Sequence, residues 1–218
     1  MSVPQLPLAR YFCANRFVRY FLESLERILL VDNLKIVLEH AHLSHLVDNY
    51  PPNNKIKAFD FAHFAMLMIS LEAFAGEESG RDIARRAGHH IMTTYAQDFG
   101  DVINSFNSAS FQILSLQAKL KIGIPAFVNL HTDSLFYEAT LYHPDVNNIM
   151  ITTERSPVCW GRYATSDHSV CALTVGIIEG GLIHITKGLE FEVVEEMCQA
   201  RGDDLCRFKI NIKSLISN

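Results

Sequence analysis

The chain has 218 residues, which suits one domain of generous size or one domain with an appendage. Apolar residues make up 49% and charged residues 20%, below the usual share of about a quarter. The sequence can therefore fill a large core and still line an apolar pocket or a subunit interface. Its formal net charge of −5 supplies no basic face, which argues against nucleic-acid binding.

The first apolar stretch, ARYFCANRFVRYFLESLERILLV, is interrupted by Arg10, Arg16, Arg19, Glu23, Glu26 and Arg27. That excludes a membrane-spanning helix and does not resemble a signal peptide, so the expected setting is cytoplasmic, with peripheral membrane contact left open. Residues 10–49 carry helical spacing: Phe17, Phe21, Leu25, Ile28 and Leu29 form a stripe that Leu34, Val37 and Leu38 continue. This stripe either packs on the chain's own core or serves as a homodimer arm. NYPPNNK (49–55) then breaks the pattern, dividing the chain into an N-terminal helical segment, 1–50, and a second part, 51–218.

Three further helices are predicted. Residues 59–75 are apolar nearly all round and belong in the interior. Residues 79–100 are amphipathic, with Gly100 as the expected C-cap. Residues 109–131 carry a long apolar stripe that Pro125 is expected to kink. The period then changes. Residues 134–143, 148–155, 171–186, 189–198 and 206–212 are β-branched or alternating and are separated by turn-forming segments. Within 171–186 the apolar run is long enough to favour a helix, and both readings stand. Helices first and strands afterwards imply an α+β fold, an antiparallel sheet with helices packed on one face.

The five cysteines are the chemically distinctive feature. Cys198 and Cys206 flank a turn at RGDD, Glu195 lies three residues before Cys198, and Cys171 stands further back. In a reducing compartment such groupings point to metal or redox chemistry more than to disulfides, and an odd count argues against complete pairing. Thiolates and a carboxylate can close a tetrahedral structural zinc site, with Arg201 or Arg207 offsetting the residual negative charge. The spacing of Cys198 and Cys206 is looser than the usual zinc signal, and two buried thiols without a role would look the same. Cys13 stands alone and is read as a buried thiol. Adjacent His89 and His90 would point about 100° apart on a helix, so they read as core or solvated residues and not as paired haem or metal ligands.

The segment ERSPVCWGRYATSDHSVCALTVGIIEGGLIHITKGLEFEVVEEMCQARGDDLCRFKI resembles the vinyl-reductase-like (4-vinyl reductase) small-ligand-binding domain, found in a bacteriochlorophyll biosynthesis protein and in the sensor modules of phenol- and xylene-responsive activators. Cys171, Gly176, Glu195 with Cys198, Gly202 with Asp203, and Cys206 carry the likeness, and GRDIARRAG extends it back to about residue 60. The resemblance implies a structural zinc on Cys171, Glu195, Cys198 and Cys206, a dimer, and the fold of small vesicle-tethering subunits. The chain departs from the family where Ser156 replaces the first cysteine of a C-P-x-C-x-G motif. Cys159 then loses its usual neighbour and is read as a buried thiol, the alternative being a fifth sulfur near the metal. Only one of Glu195 and Glu196 can face the metal from a strand.

Three function classes follow. The first is a zinc-stabilised binding or carrier protein for an apolar small molecule, such as a bacteriochlorophyll precursor or an aromatic hydrocarbon, lined by the helices at 59–75 and 109–131. The second is an accessory enzyme of tetrapyrrole reduction, disfavoured because no nucleotide-binding motif is present and protein ligands would saturate the zinc. The third is a scaffold for assembly of a photosynthetic complex. No catalytic residue is assigned.

Overall fold

The computed structural model describes residues 8–130, 140–144, 148–162 and 165–212. The expected strand at 134–143 lies largely outside them. Its last residues form the start of β3 (Thr140–Pro144).

Strand β1 (Phe12–Ala14) leads into α1 (Asn15–Leu29), and α2 (Val31–His40) comes after Leu30, whose φ of +68° turns the chain. The stripe read from the sequence faces inward: Phe17, Phe21, Leu25, Leu34, Val37 and Leu38 are buried in the common core. β1 pairs antiparallel with β2 (Lys57–Asp60). Asp60 fastens this junction, accepting from the amides of Ala9 and Arg10 and capping α3 through the amide of Ala62. Residues 8–50 are thus tied to the second part of the chain by backbone pairing and shared packing.

Helix α3 (Phe61–Ala75) is buried on most of its circumference, as its unbroken apolar sequence requires. Helix α4 (Glu77–Tyr95) ends five residues before Gly100, and a tight 3-10 turn, Ala96–Phe99, fills the interval. The single helix expected over 109–131 is instead two. After α5 (Asp101–Phe106), α6 (Ala109–Gln112) stops within four residues and α7 (Leu116–Leu130) starts anew. Serine side chains explain the break. Ser108 Oγ accepts from the Phe111 amide and Ser115 Oγ from the Ala118 amide, so each starts its own helix. α7 runs on through Pro125.

The four-stranded antiparallel sheet has the order β3–β4–β6–β5, with β4 at Asn148–Thr153, β5 at Val193–Met197 and β6 at Cys206–Asn211. Between β4 and β5 lie the short α8 (Pro157–Trp160) and α9 (Ala172–Thr186). Residues 172–186 are therefore helical, as the length of the apolar run favoured. Ile149, Ile151, Val193, Phe208 and Ile210 are buried on one sheet face, while Lys209 and Glu196 pair at 3.3 Å on the other. α9 lies against β5 and α7 against β3, which gives the expected α+β arrangement.

The tightest contact in the molecule is between α4 and α9. A Cβ on Gly176 would stand 1.9 Å from the Arg85 carbonyl oxygen, and one on Gly88 would stand 2.2 Å from the Leu173 carbonyl oxygen. The two helices touch backbone to backbone, and Arg85 clamps them with a two-pronged ion pair to Glu179 (Nε–Oε2 2.8 Å). Overpacking of a core costs about 1–3 kcal/mol and occasionally more. Gly176→Ala faces rigid backbone and is expected to cost about 3 kcal/mol, a fall in Tm of about 6–12 °C for a chain of this size by thermal unfolding.

Candidate metal centre

Three separate segments bring sulfur to one place. Cys159 lies in α8, whose first turn Pro157 pre-sets and where the Cys159 amide donates to the Ser156 carbonyl at 3.0 Å. Cys171 immediately precedes α9. Cys198 directly follows β5 and Cys206 opens β6, across a turn that needs Gly202 at φ +97°. Within that turn the Asp203 carboxylate accepts from the Cys198 amide at 2.7 Å, and the Arg201 amide donates back to the Cys198 carbonyl at 2.9 Å. RGDD thus acts as a clasp that holds Cys198 opposite Cys206.

The four sulfurs form one buried cluster. Cys159 Sγ lies 3.2 Å from Cys171 Sγ, 3.7 Å from Cys198 Sγ and 3.6 Å from Cys206 Sγ, and Cys171 and Cys206 are 3.7 Å apart. All four ligand atoms fall within 4.8 Å of one another, and the cysteines are free thiols. Three of the four sequence-predicted ligands, Cys171, Cys198 and Cys206, are in this cluster. Cys159, read from the sequence as a buried thiol apart, joins them. Only folding brings α8 over the hairpin, and no spacing rule reports that.

Glu195, the fourth sequence-predicted ligand, sits at the edge of the cluster. A bulge between Glu195 and Met197 sets the local register, leaving Glu195 inward and Glu196 outward on Lys209. Glu195 Oε2 accepts from the Cys171 amide at 2.9 Å, and Oε1 is buried with no hydrogen-bond partner among the described residues. Burial, then the negative charge of Cys198, pushes the Glu195 carboxyl up to about 9.

The sulfurs influence one another strongly. Burial holds the Cys171 thiol well above its ordinary range. The hydrogen bond with Cys159 does the same for Cys206. Cys198 is pulled down because Cys159, Cys171 and Cys206 all donate to it. Packed together away from water, four thiols resist ionising side by side unless a cation joins them, and soft, buried, four-fold sulfur donors suit a tetrahedral metal such as zinc. Two polar groups already lie against the sulfurs: the Gln199 amide donates to Cys206 Sγ at 3.4 Å, and the Ser156 hydroxyl shares a hydrogen bond with Cys171 Sγ at 3.5 Å. Of the arginines expected to offset the charge, Arg201 bonds to Ser169 Oγ at 3.4 Å.

The remaining candidates lie apart. Cys13 is buried in β1. His90 Nδ1 bonds Ser24 Oγ at 2.9 Å and its ring meets Tyr95 edge-on, in keeping with a core histidine. A second group, Glu77, Asp167 and His168, was not read from the sequence; its ligand atoms lie within 4.8 Å of one another and it is more exposed. A cleft of about 430 Å³ runs beside the edge strand β5, with Arg81, Arg85, Ala172, Val175, Val193 and Glu195 among its walls. It lies between helices and sheet, although α4 and α9 line it and the helices expected from the sequence, 59–75 and 109–131, do not. Among the described residues no helix is long and apolar enough to cross a membrane.

Comparison with known proteins bears on this centre directly. Residues 149–212 match the vinyl-4-reductase (V-4-R) domain. The match begins in β4 and ends just after β6, so it contains all four clustered cysteines and Glu195. The earlier helices lie outside it but inside the structural likenesses. The phenol-responsive sensory domain of the transcription activator PoxR, solved with phenol, superposes with a TM-score of 0.53 at 16% identity over 75% of this chain and 80% of that one. An unliganded Fe(II) H-NOX protein from K. algicida gives 0.55 at 12% identity, over 91% and 95%. An H-NOX protein from S. oneidensis in the Fe(II)NO state gives 0.50 at 16%, over 88% and 97%. At these identities the likeness is one of fold. No curated protein matches the chain.

Removing the clasp tests the role of this turn. Asp203→Ala frees the buried Cys198 amide and is expected to cost about 1–3 kcal/mol in urea unfolding.

Proposed function

We propose that the chain is a zinc-stabilised module that binds an apolar or aromatic small molecule and relays its presence without transforming it. The observation that carries this reading is the convergence of four buried cysteine sulfurs within the segment that matches the vinyl-4-reductase domain. Cys171, Cys198 and Cys206 supply three thiolates, and the family resemblance offers Glu195 as the fourth ligand. Bound zinc would brace the β5–β6 hairpin against the start of α9. A site closed by four protein ligands stabilises the fold and leaves no coordination position for a substrate. A reducing, cytoplasmic setting would keep the thiols available to the metal.

The cleft beside β5 is the favoured ligand site. Its volume of about 430 Å³ falls in the range of small-molecule pockets, roughly 300–1000 Å³. Ala172, Val175, Val193 and Val194 give it an apolar strip beside the charged Glu78, Arg81, Asp82, Arg85 and Glu192, and Glu195 joins it to the metal centre. The fold likeness to the phenol-responsive domain supports an aromatic ligand, and a tetrapyrrole precursor or another hydrocarbon is the wider class. We also propose a homodimer through the elbow between α1 and α2, where Leu30, Val31 and Ile36 are exposed. Light scattering on the full chain is expected to report two chains, and a monomer at micromolar concentration would remove that part.

Protein purified under reducing conditions and washed with a weak chelator is expected to retain about one zinc per chain. Cys206→Ser should lose the metal and melt at lower temperature. Phenols, fatty acids and chlorophyll precursors can then be screened by thermal shift. A ligand at 100 times its Kd stabilises by about 2.7 kcal/mol, a rise of about 5–11 °C here. Turnover of a divinyl pigment with a nicotinamide donor would favour an accessory enzyme instead. If no apolar compound shifts the melting point, the scaffold reading gains.

A further inference from the structure

We infer that Cys159, and not Glu195, supplies the fourth ligand of the proposed metal centre, and that the metal thereby joins the sheet to the helical first half. This rests on the metal reading above and concerns which groups hold the ion.

Distance favours the assignment. A zinc ion with four sulfur ligands at about 2.3 Å has sulfurs about 3.8 Å apart along each tetrahedral edge. The distances from Cys159 Sγ to Cys198 and Cys206, 3.7 and 3.6 Å, already match that edge, as does 3.7 Å between Cys171 and Cys206. The 3.2 Å approach of Cys159 to Cys171 would have to open by about half an ångström, and the two remaining edges, from Cys198 to Cys171 and to Cys206, lie within 4.8 Å. Glu195 stands outside the group whose ligand atoms are all mutually close. Its Oε2 is already engaged by the Cys171 amide, which places it where an outer partner orients a ligand.

The rigidity of the platform that carries Cys159 favours it too. The α8 turn is packed on α3, and Gly161 seals the contact: a Cβ there would meet the Phe61 carbonyl oxygen at 2.4 Å and the Ala62 backbone at 2.6 Å. Trp160 also meets Tyr11 edge-on at 5.7 Å, and the Arg155 guanidinium lies 4.8 Å over the Tyr11 ring. The backbone that carries Cys159 therefore cannot leave the cluster without moving α8 off α3. The Ser156 hydroxyl, 3.5 Å from Cys171 Sγ, serves as a donor to the thiolates from the same turn.

The consequence is mechanical. With Glu195 as ligand, the ion would tie only the hairpin to the start of α9. With Cys159 as ligand, it also holds α8, and through α8 it holds α3 and the N-terminal strand. Glu195 then stands between the metal centre and the cleft, its Oε2 held on the Cys171 amide.

Zinc K-edge X-ray absorption on the reduced, zinc-loaded full chain decides the ligand set. The expected shell is four sulfurs at about 2.3 Å, unchanged in Glu195→Gln. In Cys159→Ser one sulfur should give way to a lighter atom at about 2.0–2.2 Å. Hydrogen exchange over Phe61–Ala75 should quicken in Cys159→Ser and not in Glu195→Gln. Three sulfurs and one oxygen in the unaltered protein, with the shell changing in Glu195→Gln, would overturn the inference and leave the zinc reading standing. A well-folded chain that binds no zinc would remove both. If Cys159→Ser does not fold, the unaltered protein and Glu195→Gln still give the answer.

Discussion

Four thiols closed together away from water resist ionising side by side unless a cation joins them. Hydrogen bonds from its three sulfur neighbours pull the Cys198 thiol down, burial pushes Cys171 up, and a hydrogen bond with Cys159 pushes Cys206 up. A divalent cation would reverse the balance. The cluster lies where three segments meet: the α8 turn, the start of α9, and the β5–β6 hairpin. None of these has an independent core, and α8 is only four residues long. Holding the four sulfurs within 4.8 Å of one another across them is the constraint on which the geometry of this half of the molecule depends.

The α4–α9 crossing supplies the rigid frame for that constraint. Gly88 and Gly176 let two backbones touch, and the Arg85–Glu179 pair fixes their rotation. With α9 fixed, Cys171 is placed at its start, and the cleft opens between α4, α9 and the edge strand. The GRDIARRAG motif, noted in the sequence for its likeness to a family helix, has a physical reading in this crossing. Gly88 provides the close approach, Arg85 provides the clamp, and Arg81 reaches the cleft. A small molecule bound there would touch the same helix pair that positions the first cysteine of α9, so binding and the state of the centre share a structural element.

Much of this was legible in the residues. The change from a helical to a strand-like period near residue 130 marks the change from helices to sheet, and the alternation of CRFKIN gives β6 its buried Phe208 and Ile210. Cys171, Cys198 and Cys206 were identifiable from the motif, and strand geometry required only one of Glu195 and Glu196 to face inward. Other features were hidden for physical reasons. β1 has three residues, too few for alternation to show. The break between α6 and α7 depends on serine side chains capping their own helices, and an apolar stripe drawn through 109–131 runs over them. Cys159 lies twelve residues before Cys171 with a loop between, so its place in the cluster is a tertiary fact. The same holds for His168, whose companion Glu77 comes from the start of α4.

A metal at the meeting point of the sulfurs is the central claim, and one experiment sees that point directly. Crystals of the full chain, grown under reducing conditions, can be measured on both sides of the zinc absorption edge. One anomalous peak per chain is expected at the centre of Cys159, Cys171, Cys198 and Cys206, about 2.3 Å from each sulfur. A well-ordered site with no peak, its cysteines left as packed thiols or joined in a disulfide, would contradict the claim.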